Sequence, residues 1–323
     1  MNYKQLGNTG LKVSQLCFGT MSFGGDANEA ESQRMFEACR ERGINFFDCA
    51  DVYSRGAAET ILGKLIKQDR DDLVITTKCF GSMSEDVNSG GANRRHIQSA
   101  IDASLSRLGT DRIDILFMHR WDPIVPLEET MRALEKAVAD GKVLYLGASN
   151  YAAWQIAKGL GISAKNAWPG FDVVQPMYSL VKRQAETEIL PLAQAENLGV
   201  IPYSTVGGGL LSGKYDTNAR PDTGRIMTND EYSKRYSEDW VYETAGRFTQ
   251  FAKDRNFHPV SLAVAWASAH PAITCPIIGA RNLEQLEPSL NSIEIDMTVE
   301  LRSEISALSR TPPPATDRLE EQI

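Results

Sequence analysis

Cysteine is sparse in this 323-residue chain: Cys17, Cys39, Cys49, Cys79 and Cys275 are odd in number, widely spaced and form no CxxC pair. That pattern excludes a disulfide framework or a thiolate metal site. With no secretory apolar core at the start, it predicts a soluble protein of the reducing cytoplasm. The four histidines, His96, His119, His258 and His270, show no HxH or HExxH spacing, so no metal is expected. No apolar run approaches the ~20 residues of a membrane helix. Basic residues are in deficit, 34 Lys and Arg against 42 Asp and Glu, for a formal net charge of -8. This balance speaks against nucleic acid or an anionic membrane as partner. A GxGxxG opening a helix after the first strand is also missing, which weakens an open, doubly wound dinucleotide fold. There is no repeat of solenoid or propeller period and no low-complexity linker.

What is present is an even composition, 42% hydrophobic and 24% charged, that suits one domain over residues 1–323. Asn8 and Gly10 supply turn chemistry for a hairpin between 3–6 and 11–13. After it, strand patterns at 16–19, 44–47, 73–77, 113–118, 143–147, 173–175, 200–202 and 274–278 alternate with helical spacing. The helices are predicted at 30–42, 59–68, 94–108, 127–140, 152–160, 184–197, 260–269 and 283–292. Gly43, Gly141 and Gly199 stand where a helix C-terminus wants a left-handed residue. Eight strands alternating with eight helices predict an α/β fold, a closed parallel (β/α)8 TIM barrel with an N-terminal β-hairpin. Such a fold needs about 250 residues. A long irregular loop, 207–236, follows the seventh strand and is read as a cofactor and substrate loop. The Pro-rich, charged tail 309–323 is expected on the surface.

Three strands share one grammar. GINFFDCADVY runs from apolar residues into Asp48 and Tyr53, LVITTK ends on Lys78, and IDILFMH ends on His119. In a parallel barrel the C-terminal strand ends share one face, so these four groups converge. Singly, each has an ordinary structural explanation: a loop cap, a packing aromatic, a surface lysine, a satisfied histidine. Jointly, at consecutive strand ends, they point to a site. An ammonium beside a phenol lowers its pKa, and a carboxylate holds the ammonium, so Lys78 is expected to tune Tyr53 with Asp48 behind it. A tuned phenol serves to protonate an alkoxide and offers little to a hydrolase, which indicates carbonyl reduction with an external hydride donor, His119 orienting the carbonyl oxygen. A Schiff-base aldolase on Lys78 is the rival chemistry, and Asp48 argues against it by keeping the amine protonated.

The later strands offer a cofactor surface. Ser149 and Asn150 follow the fifth strand, Gln175 ends the sixth, and Tyr203 after the seventh presents a flat face for a nicotinamide ring. The Gly-rich STVGGGLLSGK, from Ser204 to Lys214, brings backbone N–H groups toward a pyrophosphate, with Lys214 and Arg225 adding charge. Gly279 before a helix, with Arg281, reads as an anion site at a helix N-terminus.

These motifs, KQLGNTGLKVSQLCFGT, DVY, TTK, FMHR, GASNY, GGGLLSGKY and PIIGARNLEQL, together resemble the aldo-keto reductase superfamily over nearly the whole chain. The resemblance implies a (β/α)8 barrel closed below by the hairpin and a nicotinamide cofactor bound without a Rossmann motif. By position, the family's catalytic tetrad falls on Asp48, Tyr53, Lys78 and His119. Its carboxamide ligands fall on Ser149, Asn150 and Gln175, and its stacking aromatic on Tyr203. The pyrophosphate loop of the bacterial and channel-associated branches matches Ser204, Gly207, Leu210, Ser212 and Lys214, with Arg225 as phosphate partner. The adenosine end matches Gly279, Arg281 and Gln285. Pro288 and Ser289 replace a frequent Glu-Asn pair, and Thr205-Val206 a common Pro-Leu. Because Arg suits bidentate phosphate recognition, Arg281 favours NADPH, with NADH as the alternative.

For the substrate, Phe23, Phe80, Trp121 and Trp240 are expected to build an aromatic pocket for an aldehyde, ketone or keto sugar. The sequence supplies no reading of oligomeric state. A rival of another class is a cofactor-sensing regulatory barrel, as in voltage-gated potassium channel β-subunits. The barrel hairpin starting at residue 3, with no regulatory arm before it, is expected to disfavour that role.

Overall fold

The computed structural model describes residues 1–217, 220–221 and 224–321. An antiparallel hairpin, β1 (Tyr3–Gln5) and β2 (Lys12–Ser14), precedes the parallel strands. These are β3 (Cys17–Gly19), β4 (Phe46–Asp48), β5 (Val74–Cys79), β6 (Ile113–Met118), β7 (Val143–Ser149), β8 (Val173–Gln175), β9 (Gly199–Val200) and β10 (Ile277–Ile278). They pair in the order β10-β3-β4-β5-β6-β7-β8-β9. The two ends of that order also meet. Thr274 and Cys275 donate their N–H groups to the Val200 carbonyl at 2.9 and 3.3 Å, and Ile277 donates to Pro202 at 2.8 Å, which closes the barrel.

The helices follow the strands: α1 (Glu29–Glu41), α2 (Ala57–Ile66), α3 (Arg94–Leu108), α4 (Leu127–Ala139), α5 (Ala153–Asn166) and α6 (Ile189–Ala195). Then come α7 (Arg225–Thr228), α8 (Asp230–Arg235), α9 (Asp239–Asp254), α10 (Pro259–Ser268), α11 (Leu283–Leu290) and α12 (Val299–Ser306). Among the described residues none is long and apolar enough to cross a membrane.

β5 and β6 are buried at every position, as strands covered on both faces require. Their side chains alternate between two cores. Phe46, Val74, Ile115, Phe117, Val173 and Ile201 fill the barrel interior, where Leu6 and Val13 of the hairpin region also pack. Phe47, Ile75, Leu116 and Met118 face outward against the helices. The interior is tight: a Cβ on Gly147 would lie 2.3 Å from the Phe117 ring. Only glycine on β7 leaves room for that ring.

The structure corrects several element expectations. The predicted helix 184–197 is a 3-10 turn (Gln184–Glu186) followed by α6. Pro191 has no N–H to continue a helix from upstream but is tolerated in a first turn, where that donor has no helical partner. The segment 207–236, read as irregular, holds a 3-10 turn (Gly207–Ser212), α7 and α8; Asn229 caps α8 by accepting from Glu231 and Tyr232. Its own Leu210, Leu211, Tyr215, Ile226, Tyr232 and Tyr236 are buried, which holds the segment down. Positions 218–219 and 222–223 of that loop, and 322–323 of the tail 309–323, lie outside the described residues. The tail is mostly exposed and is tied back by Ser309 donating to Leu180 and Thr187 donating to Pro313. α9 and α12 were not predicted, although Val241, Ala245, Phe248 and Ala252 give α9 a helical stripe.

Gly147→Ala is expected to destabilise the fold by about 1–3 kcal/mol, the usual penalty of overpacking. Phe117→Leu should relieve part of it, so a double-mutant cycle by urea unfolding that found strict additivity would locate the strain elsewhere.

Candidate active site

The alternation that fills the barrel also aims its polar groups. Continuing the inward register two residues at a time carries Phe46 to Asp48, Val74 through Thr76 to Lys78, and Phe117 to His119. On the far side it carries Tyr145 through Gly147 to Ser149, Val173 to Gln175, and Ile201 to Tyr203. The apolar interior therefore ends in a polar layer at the C-terminal ends of the strands.

At the centre of that layer Lys78 is fully buried, and its ammonium donates to Asp48 Oδ2 at 2.6 Å, the Cys49 carbonyl at 2.6 Å and Tyr53 Oη at 3.2 Å. Three donors thus meet three acceptors. Asp48 Oδ1 in turn accepts from Thr76 Oγ1 at 2.7 Å and Gln175 Nε2 at 2.8 Å. Since the Tyr53 oxygen accepts from Lys78, its own proton is free for a partner in the cavity. His119 stands edge-on to Tyr53, ring centroids 6.0 Å apart.

The titration of these groups corrects one expectation. Lys78 does act to lower the Tyr53 pKa, but burial acts more strongly and Asp48 adds to it, so the phenol is pushed up to about 12. Burial opposes the Lys78 charge, yet Asp48 and then Tyr53 outweigh it and hold Lys78 above the ordinary lysine range. His119 is held down to about 3, by burial first and then by Lys78 and Arg120. Near neutrality the site therefore presents a protonated phenol beside a neutral imidazole. Asp51 nearby is pushed up to about 7 by burial and by Glu59.

A cavity of about 890 Å³ opens from Asp48, Tyr53 and His119 and runs past Ser149, Asn150, Gln175 and Tyr203. It continues to Ser204, Ser212, Lys214, Arg225, Gly279, Arg281 and Gln285. Its volume is at the upper end of small-molecule clefts. Tyr203 Oη donates to Asn150 Oδ1 at 2.6 Å, and Asn150 Nδ2 donates to the His119 carbonyl at 2.9 Å, which pins the Tyr203 ring at the wall. Gly207, Gly208 and Gly209 all have left-handed φ of 62, 65 and 101°, a run suited to glycine. The Gly207 and Gly209 amides turn inward to Ser204 and Val206 rather than to the cavity, and Leu210 is buried.

At the far end, α11 does not offer a bare N-terminus, because Asn282 accepts from Gln285 and the Glu31 carboxylate accepts from Leu283. Arg281 and Arg225 instead converge on the Asp26 carboxylate at 3.1 and 3.6 Å. A long cleft with aromatic and amide groups near the phenol and cations at the other end fits the donor set of a nicotinamide dinucleotide. Among the described residues no three His, Cys, Asp or Glu side chains gather as a metal site.

Of the proposed substrate walls, Phe23 lies in the core, fully buried against Phe18, and does not border the cavity. Phe80 lies under the Arg120 guanidinium at 6.0 Å, Trp121 packs edge-on to Tyr151 and Trp154, and Trp240 donates to Glu238 with Arg310 over its ring. None of these three borders the cavity either. Residues that do line it and were not foreseen include Met21, Arg120, Tyr232 and Arg235. Arg120 was findable, being next to His119. Tyr232 and Arg235 depended on α8, whose short span carries little periodicity.

The sequence model described as the Aldo/keto reductase family matches residues 15–310. The chain is 36% identical to an oxidoreductase YrpG of Bacillus subtilis, over 93% of this chain and 94% of that one. It is 34% identical to a probable voltage-gated potassium channel subunit beta of Arabidopsis thaliana, covering 91% and 92%. It is 32% identical to versiconal hemiacetal acetate reductase of Aspergillus parasiticus, covering 93% and 94%. A match spanning nearly the whole barrel, on a chain whose strand ends carry a Lys-linked phenol, places this protein in the aldo/keto reductase family of oxidoreductases.

Proposed function

We propose that this chain reduces an aldehyde, ketone or keto-sugar carbonyl to the alcohol, using NADPH, with Tyr53 as general acid. The observation that carries the proposal is the hydrogen bond from Lys78 to the Tyr53 oxygen, which leaves the phenolic proton facing the cavity. NADPH, when bound, supplies the hydride for the carbonyl carbon. Tyr53 then donates its proton to the carbonyl oxygen, and Lys78 steadies the phenolate left behind, itself backed by Asp48. His119, kept neutral, donates a hydrogen bond that orients the carbonyl oxygen without competing as an acid. Ser149, Asn150 and Gln175 hold the carboxamide end, and the Tyr203 face supports the ring. Ser204 and Ser212 would line the wall at the pyrophosphate, with Gly207 and Leu210 setting the loop behind them, and Lys214 and Arg225 would neutralise it. Gly279, Arg281 and Gln285 take the adenosine end, Arg281 pairing with the 2′-phosphate in place of Asp26.

The relative named as a channel subunit supports a second reading, in which the bound nucleotide alters a partner contact and turnover is incidental. Titration with NADPH followed by aldehydes and ketones separates the two: oxidation of the nucleotide is expected, whereas tight binding with no turnover on any carbonyl would favour the sensor.

Tyr53→Phe should cut kcat by roughly 10² to 10⁴, the worth of a general acid, with NADPH affinity nearly unchanged by fluorescence titration. Turnover near wild type would remove Tyr53 from the mechanism. Arg281→Ala is expected to weaken NADPH binding about tenfold more than NADH binding, read by the same titration. Equal losses would show that Arg281 does not read the 2′-phosphate.

The pH profile follows from the same groups. A phenol protonated up to about pH 12 and an imidazole neutral down to about pH 3 leave no limb in reduction between pH 5 and 9 from either residue. The measurement belongs in an Asp51→Asn background, because Asp51 itself titrates near 7. A limb of kcat/KM centred near 6.5 in that background would mean that His119 works as an imidazolium.

A further inference from the structure

The cavity wall beside the phenol carries charge that the reduction mechanism does not use. Arg120, next in the chain after His119, is exposed and lines the cavity, as does Arg235 of α8. Neither forms an ion pair among the described residues, whereas Arg225 and Arg281 share Asp26. The nearest carboxylate in sequence to Arg120, Asp122, is already committed, accepting from the backbone N–H groups of Ala92 at 2.8 Å, Ile124 at 2.9 Å and Val125 at 3.3 Å. Asp48 is saturated by Lys78, Thr76 and Gln175. Of the other acidic side chains that line the cavity, Glu231 of α8 and Glu284 of α11, neither pairs with Arg120 or Arg235.

Both Arg120 and Arg235 bear electrostatically on the Tyr203 hydroxyl, and Arg120 also bears on His119. The Arg120 guanidinium lies over the Phe80 ring at 6.0 Å, a contact that leaves its hydrogen-bond donors free. In a chain of formal net charge -8, a cavity wall with two guanidiniums that form no ion pair among the described residues, one of them adjoining His119, draws in anions.

We infer that the carbonyl substrate is itself an anion, a compound whose carboxylate or phosphate sits a ring or a short chain away from the carbonyl and is gripped by Arg120, with Arg235 adding to the field. This rests on the carbonyl-reductase reading and names its substrate class. A planar guanidinium binds either group in a two-point fork, so Arg120 is a specificity-determining residue rather than a participant in proton or hydride transfer.

The test uses two aldehydes that differ in charge, 4-carboxybenzaldehyde and its neutral methyl ester, methyl 4-formylbenzoate, with the full chain and NADPH. The acid is expected to have a kcat/KM about tenfold or more above the ester, the difference residing in KM and shrinking as salt is raised. Arg120→Met should reduce that ratio about tenfold, and Arg120→Lys should restore part of it. 4-Formylphenyl phosphate, run beside them, ranks phosphate against carboxylate. Equal kcat/KM for acid and ester in the unaltered protein would overturn the inference and leave the reductase reading standing, as would an equal loss on both substrates in Arg120→Met. Turnover of no aldehyde at all would overturn the reductase reading and the inference with it.

Discussion

The structure turns on one buried ion pair. Removing an ammonium from water costs several kcal/mol even after relaxation, and only close, complete pairing offsets it. Lys78 meets that condition, with each N–H on a separate acceptor and its carboxylate partner in turn satisfied by Thr76 and Gln175. The acceptors and donors come from β4 and the turn after it, β5 and β8, so the pair is complete only when the barrel has formed. The same completeness fixes which way the Tyr53 proton can point.

A second, half-buried pair lies on the outer side of β5. Thr77 donates to Glu59 at 2.5 Å, and Glu59 accepts from Arg107 at 2.6 Å, joining β5, α2 and α3 directly behind the site. Arg107 packs over Gly56, which ends a turn in which Ser54 and Arg55 also hold left-handed φ of 47 and 53°. Left-handed non-glycine residues carry a penalty of about 1–2 kcal/mol each. The turn that delivers Tyr53 is thus under strain and is held by the Glu59 and Arg107 pair beneath it.

Much of this was legible in the sequence because the barrel has a period of two. Apolar runs that end on Asp48, Lys78 and His119 mark both the strands and the face on which they stop, and Gln175 and Tyr203 follow the same register. The direction of the Tyr53 shift was not legible, since it depends on how much solvent the fold removes, a quantity that spacing along a chain does not contain. The placement of the aromatic residues was not legible for a related reason. Phe23 looks like a pocket wall in sequence, but packing against Phe18 consumes it. Conversely, the place of Arg120 beside His119 is plain in sequence, but whether its charge is free depends on Asp122 being bonded to backbone, because a free charge is defined by the partners it lacks. α9 has an ordinary apolar stripe and was obscured by the irregular composition preceding it.

The closing hydrogen bonds between the 199–202 and 274–277 segments have a consequence for the solution behaviour of the chain. Among the described residues every parallel strand has a neighbour on both sides, so the barrel sheet offers no unpaired edge to another molecule. That protection is all or none. Nascent or truncated chains that end before residue 274 would carry two open edges flanked by the buried, β-branched strands of the interior, and those species, rather than the finished barrel, are the ones exposed to edge-to-edge aggregation.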